Sequence, residues 1–142
     1  MSMRIFLVPG TGEIPKQDSD RVDRYFKLVS LQKVDGSWEL NSELADTIAI
    51  DFKKVKKYEP VQCKITEDKE VDDIDVLNEN VWATSLATSF MFDYVRFKVD
   101  ENRIVAHKAR NFIANNVGKK ALGACLQESR DYLAKHSKIS LE

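Results

Sequence analysis

Apolar residues recur along this chain at three- and four-residue intervals, which is the spacing of one face of an α-helix. The pattern is strongest from Glu79 or Asn80 to Val99, where the apolar band is too wide for a helix with one face in water. The members of this band are Trp82, Ala83, Leu86, Ala87, Phe90, Met91, Tyr94 and Phe97. The segment is therefore predicted to be a central helix with other helices packed around it.

Shorter amphipathic segments lie on both sides of this helix. They are predicted at residues 21–33, from Asn41 onward, and at residues 51–58, 102–116 and 119–136. Asn41 can accept hydrogen bonds from the first-turn amides, and Asn115–Gly118 forms a stop signal. The 5 glycines and 3 prolines are too few for the turns of an all-β sandwich or barrel. The predicted fold is all-α, a compact bundle of about five to six helices.

Two parts of the chain lack a helical pattern. Residues 1–18 contain the turn-forming Pro9–Gly12 segment, so they are predicted to form an irregular N-terminal arm. Residues 60–78 are predicted to form a long loop, which in a compact domain is usually functional or mobile. Because 142 residues is the size of one domain, the predicted organisation is an arm at 1–18 and a single helical domain at 19–140.

The charged residues are unevenly distributed, although the formal net charge is only −1. Residues 67–79, the acidic loop, carry seven acids and one base, whereas residues 103–138 carry eight bases and two acids. This polarity can steer a charged partner, but an acidic loop and basic helices can also screen each other within one domain, which is the favoured interpretation. No basic run is interleaved with aromatic residues, so nucleic-acid binding is not predicted.

Composition indicates a cytoplasmic protein without membrane contact. The apolar share of 43% and charged share of 32% are ordinary for globular proteins. No apolar run approaches the roughly 20 residues of a membrane span, and the apolar part of the N-terminus is too short for a secretory signal. Two cysteines, Cys63 and Cys125, make no disulfide framework.

The residues that carry chemistry do not assemble into a recognised motif. His107 and His136 lie at no metal-ligand spacing from each other or from the cysteines. The acidic loop lacks the turn glycine and the final glutamate of a calcium-binding EF-hand. Cys125 falls on an apolar helix stripe, where a thiol is inert, and Cys63 has Lys64 beside it but no nearby histidine. We therefore predict no catalytic residue, no metal site and no cofactor.

The most informative segment is Leu31–Leu40, which reads as a helix end, a glycine turn and a returning tryptophan. Gly36 suits the left-handed backbone of a helix C′ position. Trp38 is expected to fold back onto the preceding helix, and Trp38 and Trp82 are both expected to lie in the core rather than in a binding site. The residues assigned to this structural motif are Leu31, Gln32, Asp35, Gly36, Trp38 and Trp82.

Three segments resemble the C-terminal region of proteins that carry a VIT domain and a von Willebrand factor A domain, a family that includes the vault poly(ADP-ribose) polymerase. They are residues 28–50 with the Leu-Gln-Lys-x-Asp-Gly-Ser-Trp pattern, residues 81–87 with Trp-Ala-Thr, and residues 108–113. The resemblance implies a helical docking module whose partner is the major vault protein. It does not extend to the family's activities, because the chain has neither an Asp-x-Ser-x-Ser metal motif nor a histidine–tyrosine–glutamate transferase set.

Three hypotheses follow for the function. The leading one is a non-enzymatic helical docking module that targets a larger protein to the vault particle. The second is a small helical enzyme or ligand-binding domain that uses Cys63 or the acidic loop 67–79, which a deep pocket lined by Cys63, His107 and acids would favour. The third is a structural C-terminal cap that stabilises neighbouring domains.

Overall fold

Six α-helices and no β-strand make up the described part of the computed structural model, which comprises residues 16–58, 60, 64–65, 73–94 and 99–139. The helices are α1 (Lys16–Leu31), α2 (Ser42–Thr47), α3 (Phe52–Lys57), α4 (Ile74–Tyr94), α5 (Val99–Val117) and α6 (Lys119–His136). The prediction of an all-α bundle of about five to six helices is confirmed.

Helix α4 lies at the centre of the bundle. It packs along α5 and α6, which also pack against each other, while α1 contacts both α2 and α4. Every residue from Val81 to Met91 is buried, so α4 has no water-facing side over these three turns. The wide apolar band therefore predicted the central helix correctly, because only a helix enclosed by others can bury its whole circumference.

The buried serine and threonine side chains of α4 are hydrogen-bonded. Thr84, Ser85 and Thr88 each donate to the carbonyl oxygen four residues earlier, over 2.6–2.9 Å. Ser89 lies 2.6 Å from the Ser129 hydroxyl of α6. Because a buried polar group costs free energy only when it lacks a partner, these small side chains let the neighbouring backbones approach closely without a penalty.

Three helices begin earlier than the sequence pattern predicted, namely α1, α4 and α5. Helix α5 begins at Val99 rather than at residue 102, so Val99 does not end the central helix as predicted. Helix α4 begins at Ile74 rather than at residue 79 or 80, because the Asp73 carboxylate accepts from the backbone N–H groups of Asp75 and Val76. Part of the predicted loop is thus helical. Helix α1 begins at Lys16 rather than at residue 21, so residues 16–18 of the predicted irregular arm are helical. The rest of the arm, residues 1–15, and residues 66–72 of the loop lie outside the described residues.

The C-terminal end of α2 joins the first helix to the last. Arg24 of α1 donates through Nη1 to the carbonyl oxygens of Asp46 and Thr47, over 2.8 and 3.0 Å. The backbone N–H of Lys138, beyond α6, donates to the carbonyl oxygen of Ala49 over 2.8 Å. These groups satisfy carbonyls that a helix end leaves without intrahelical partners, and they tie both ends of the bundle to one short helix.

We expect Ala49→Gly to stabilise the fold by about 0.5–1 kcal/mol. Ala49 has φ +60°, and the Ile50 N–H donates to the Ala45 carbonyl over 2.9 Å, which is the hydrogen bond of a Schellman helix end. Glycine adopts this backbone without a Cβ clash. The matched control is Ala124→Gly at an exposed position inside α6, which should lose about 1 kcal/mol. Urea unfolding that gave both substitutions the same sign would contradict this account.

Candidate functional site

Helix α1 ends at Leu31, and the chain then forms a turn that contacts α5. Leu31 packs against the core, and the side-chain amide of Gln32 donates to two carbonyl oxygens, Gly36 at 3.1 Å and Val105 at 3.0 Å. The side-chain amide of Gln32 thus closes the turn and connects it to α5 by a hydrogen bond. Residues 31–38 are called the corner below.

Gly36 is required by two features of the corner. Its φ is +93°, and a Cβ built there would lie 2.4 Å from the backbone oxygen of Lys108 in α5. The prediction of a left-handed backbone is confirmed, but its assignment to a helix C′ position is wrong. Gly36 lies five residues beyond the end of α1, in a turn closed by hydrogen bonds from Gly36 N–H to Lys33 and from Lys33 N–H to Ser37.

Asp35 and Trp38 hold the remainder of the corner. The Asp35 carboxylate accepts from both the backbone N–H and the hydroxyl of Ser37, over 3.0 and 2.6 Å. Trp38 is fully buried, and its indole Nε1 donates to the Leu28 carbonyl of α1 over 2.8 Å. Its backbone N–H donates to the Thr84 hydroxyl of α4 over 3.0 Å. The expected return of Trp38 onto the first helix and its place in the core are confirmed.

One face of the corner presents exposed apolar side chains among basic ones. Val34 is 98% exposed, and Ile104, in the α5 turn beside the Gln32 contact, is 69% exposed. Lys33 of the corner and Lys108 of α5 are exposed as well. We call Val34, Ile104, Lys33 and Lys108 the corner face. The sequence did not lead us to predict this surface. The available signal was Ile104, an aliphatic residue that falls outside the buried stripe of Val105, Ala109 and Phe112.

Trp82 lies apart from the corner in a cluster of aromatic rings. Its ring centroid is 5.6 Å from that of Tyr58 and 5.7 Å from that of Tyr132. Burial, and secondarily the negative charge of Asp51, raise the pKa of Tyr132 above its ordinary value. Trp82 is 2% exposed, so its predicted place in the core is confirmed. No acceptor in the described part of the chain is within hydrogen-bonding distance of its Nε1.

An open pocket of about 250 Å³ lies beside this cluster, near the N-terminal end of α4. It is lined by Leu40, Lys56, Tyr58, Pro60, Lys64, Asp75, Asn78, Glu79 and Trp82. His107 does not belong to it, since this side chain is exposed on α5 and forms a hydrogen bond with Asn111. Cys63 lies outside the described residues. The pocket brings acids and lysines together, but not the histidine that the enzyme hypothesis required.

Other candidate chemistry is dispersed among the described residues. Cys125 is buried in α6, as its place on the apolar stripe predicted. No group of three or more histidine, cysteine or acidic side chains in the described ranges is arranged to hold a metal ion. Within the same ranges, no helix combines the length and the apolar character that crossing a bilayer requires.

The chain was compared with known proteins in three ways. No family model matches it, and neither the curated proteins nor the solved structures contain a match.

Proposed function

We propose that this chain is a non-enzymatic helical docking module that works in the cytoplasm and attaches a larger protein to the vault particle through the major vault protein. The observation that carries the proposal is that the three segments resembling the VIT and von Willebrand factor A family meet at one place. Trp38 of the first segment donates to Thr84 of the second, and Gly36 lies against the Lys108 backbone of the third. Three separate stretches of sequence thus support one corner.

The corner face offers a surface for such docking. Val34 and Ile104 are available for apolar contact, and Lys33 and Lys108 beside them favour a partner with acidic side chains. Leu31, Gln32 and Trp38 are engaged inside the fold, whereas Val34 is almost fully exposed and does not pack against the described core. Exposed aliphatic side chains contribute to binding when a partner removes them from water.

A pull-down with purified major vault protein tests this proposal. The wild-type chain should capture the vault protein, and the double variant Val34→Asp with Ile104→Asp should capture at least tenfold less, because it puts carboxylates on the contact surface. The matched control is Ala124→Asp, which adds one acid at an exposed position of α6. An empty pull-down at low salt would reject the vault partner. Equal capture by the double variant and the control would reject the corner face.

The pocket near the N-terminal end of α4 favours one second candidate, a ligand-binding domain. Asp75 and Glu79 line this pocket together with Lys56 and Lys64. A small molecule carrying both an ammonium and a carboxylate group would suit this arrangement of charges. A panel of free amino acids that leaves the thermal unfolding midpoint unchanged would count against this candidate.

A further inference from the structure

A second cleft, of about 270 Å³, lies where the C-terminal half of α4 meets α5 and α6. Its inner wall carries Thr88 and Ser89, whose hydroxyl groups already form hydrogen bonds within the bundle. Leu126 of α6 adds an apolar surface. The inner wall therefore offers little unsatisfied polarity, and the chemistry of the cleft is set by the residues of its rim.

Arg110 of α5 is the rim residue whose charge is not compensated. Its guanidinium carbon lies 5.0 Å from the centre of the Phe92 ring, which is 42% exposed. Across the described part of the chain, no carboxylate forms an ion pair with Arg110. A guanidinium stacked on an aromatic ring keeps its N–H edge available, and this edge matches the two oxygens of a carboxylate.

Arg130 of α6, also on the rim, is only partly engaged. Its Nε donates to the Asp93 carboxylate over 3.1 Å, while the arginine side chain remains about half exposed. Asp93 thus compensates one of the two arginines, and the rim as a whole carries one net positive charge. A single positive charge beside Phe92 and Leu126 suits one carboxylate with apolar neighbours better than it suits a polyanion such as a nucleic acid.

We propose that this cleft binds an acidic segment of a partner protein, in which an aspartate or glutamate with apolar neighbours places its carboxylate on Arg110. The inference rests on the proposed docking function only in supposing a protein partner, and it needs no vault protein. A second copy of this chain is a poorer occupant. Its Ile74–Asp75–Val76 segment has the right sequence, but Lys56 and Lys64 already line the pocket that Asp75 faces.

A titration of the ¹⁵N-labelled chain with the capped tripeptide acetyl-Leu-Asp-Leu-amide tests the proposal. We expect amide shifts at residues around Phe92, Arg110 and Leu126. The matched peptide acetyl-Leu-Asn-Leu-amide should bind at least about tenfold more weakly, because it cannot form a charge-assisted hydrogen bond. Arg110→Gln should weaken binding of the acidic peptide by a similar factor. Lys135→Gln, an equal change of charge at an exposed position of α6, should leave its affinity unchanged.

Several outcomes would overturn the inference. Equal binding of the two peptides would show that the carboxylate is not recognised. An equal loss of affinity in the Arg110 and Lys135 variants would show that the peptide is held only by general electrostatic attraction. Inorganic phosphate that binds as tightly as the acidic peptide would identify a simple anion site. Concentration-dependent shifts at the cleft without any peptide would identify a second copy as the occupant. The vault pull-down uses substitutions at Val34 in the corner and Ile104 of α5, neither of which lines this cleft, so failure of one proposal is distinguishable from failure of the other.

Discussion

Replacing Gly36 with alanine is expected to destabilise the fold by about 2–5 kcal/mol. The first contribution comes from the backbone, since a side chain at φ +93° costs about 1–2 kcal/mol. The second comes from the collision of the new Cβ with the Lys108 carbonyl, 2.4 and 2.6 Å from its oxygen and carbon atoms. Because these atoms belong to the backbone of a packed helix, they cannot swing aside as a flexible side chain would, and the turn must move off α5.

Gly118→Ala is the matched control for the collision. Gly118 has nearly the same φ, +94°, but a Cβ built there meets nothing within 4 Å. Its loss should therefore be limited to the same backbone strain, about 1–2 kcal/mol. Urea unfolding of the two variants, followed by far-ultraviolet circular dichroism, measures both losses. If Gly118→Ala cost as much as Gly36→Ala, the contact between the corner and α5 would contribute nothing to stability.

The sequence predicted those parts of the fold that depend on local patterns. Helix α6 has the bounds that were predicted from its apolar stripe and the preceding Gly118. Asn41 caps α2 as expected, with its side-chain oxygen accepting from the Leu44 N–H over 2.9 Å. These features depend on residues within one or two turns of each other, and such spacing is visible in a sequence.

The helix starts that were placed wrongly lie among polar or acidic residues, although α4 itself opens with the apolar residues Ile74, Val76 and Leu77. The first turns of α1 contain mostly polar residues, and those of α4 follow a run of acids that suggested a solvated loop. At α4 the decisive signal was the capping ability of Asp73, which a sequence full of acids does not single out. First turns in such surroundings are stabilised by capping and by neighbouring helices, so apolar periodicity alone misses them.

The candidate sites depend on contacts between residues far apart in the chain. One such contact is the hydrogen bond from Gln32 in the turn after α1 to the Val105 carbonyl of α5. Another is the stacking of Arg110 of α5 on Phe92 of α4. Neither contact has a fixed sequence spacing from which it could have been predicted. The sequence could identify Gly36 as a turn residue, but it could not show that the turn lies against the backbone of α5.

The two tryptophans should respond differently to the same substitution. Trp38→Phe is expected to cost about 2–4 kcal/mol, whereas Trp82→Phe should cost about 1–2 kcal/mol. Both substitutions remove similar volume from the core. Among the described contacts, only Trp38 donates its indole N–H. Its acceptor is the carbonyl of Leu28, one of the last four of α1, which have no partner within the helix. Phenylalanine at position 38 would leave that buried carbonyl unpaired.

At position 82 the same change removes a buried donor for which the described residues provide no acceptor. Desolvating an unpaired N–H is itself unfavourable, so its removal offsets part of the loss in packing. Each single variant keeps the other tryptophan, and its fluorescence can follow urea unfolding in both proteins. A larger loss for Trp82→Phe would mean that its indole N–H is satisfied in solution, and that the aromatic cluster, rather than the corner, is the more strongly specified part of the core.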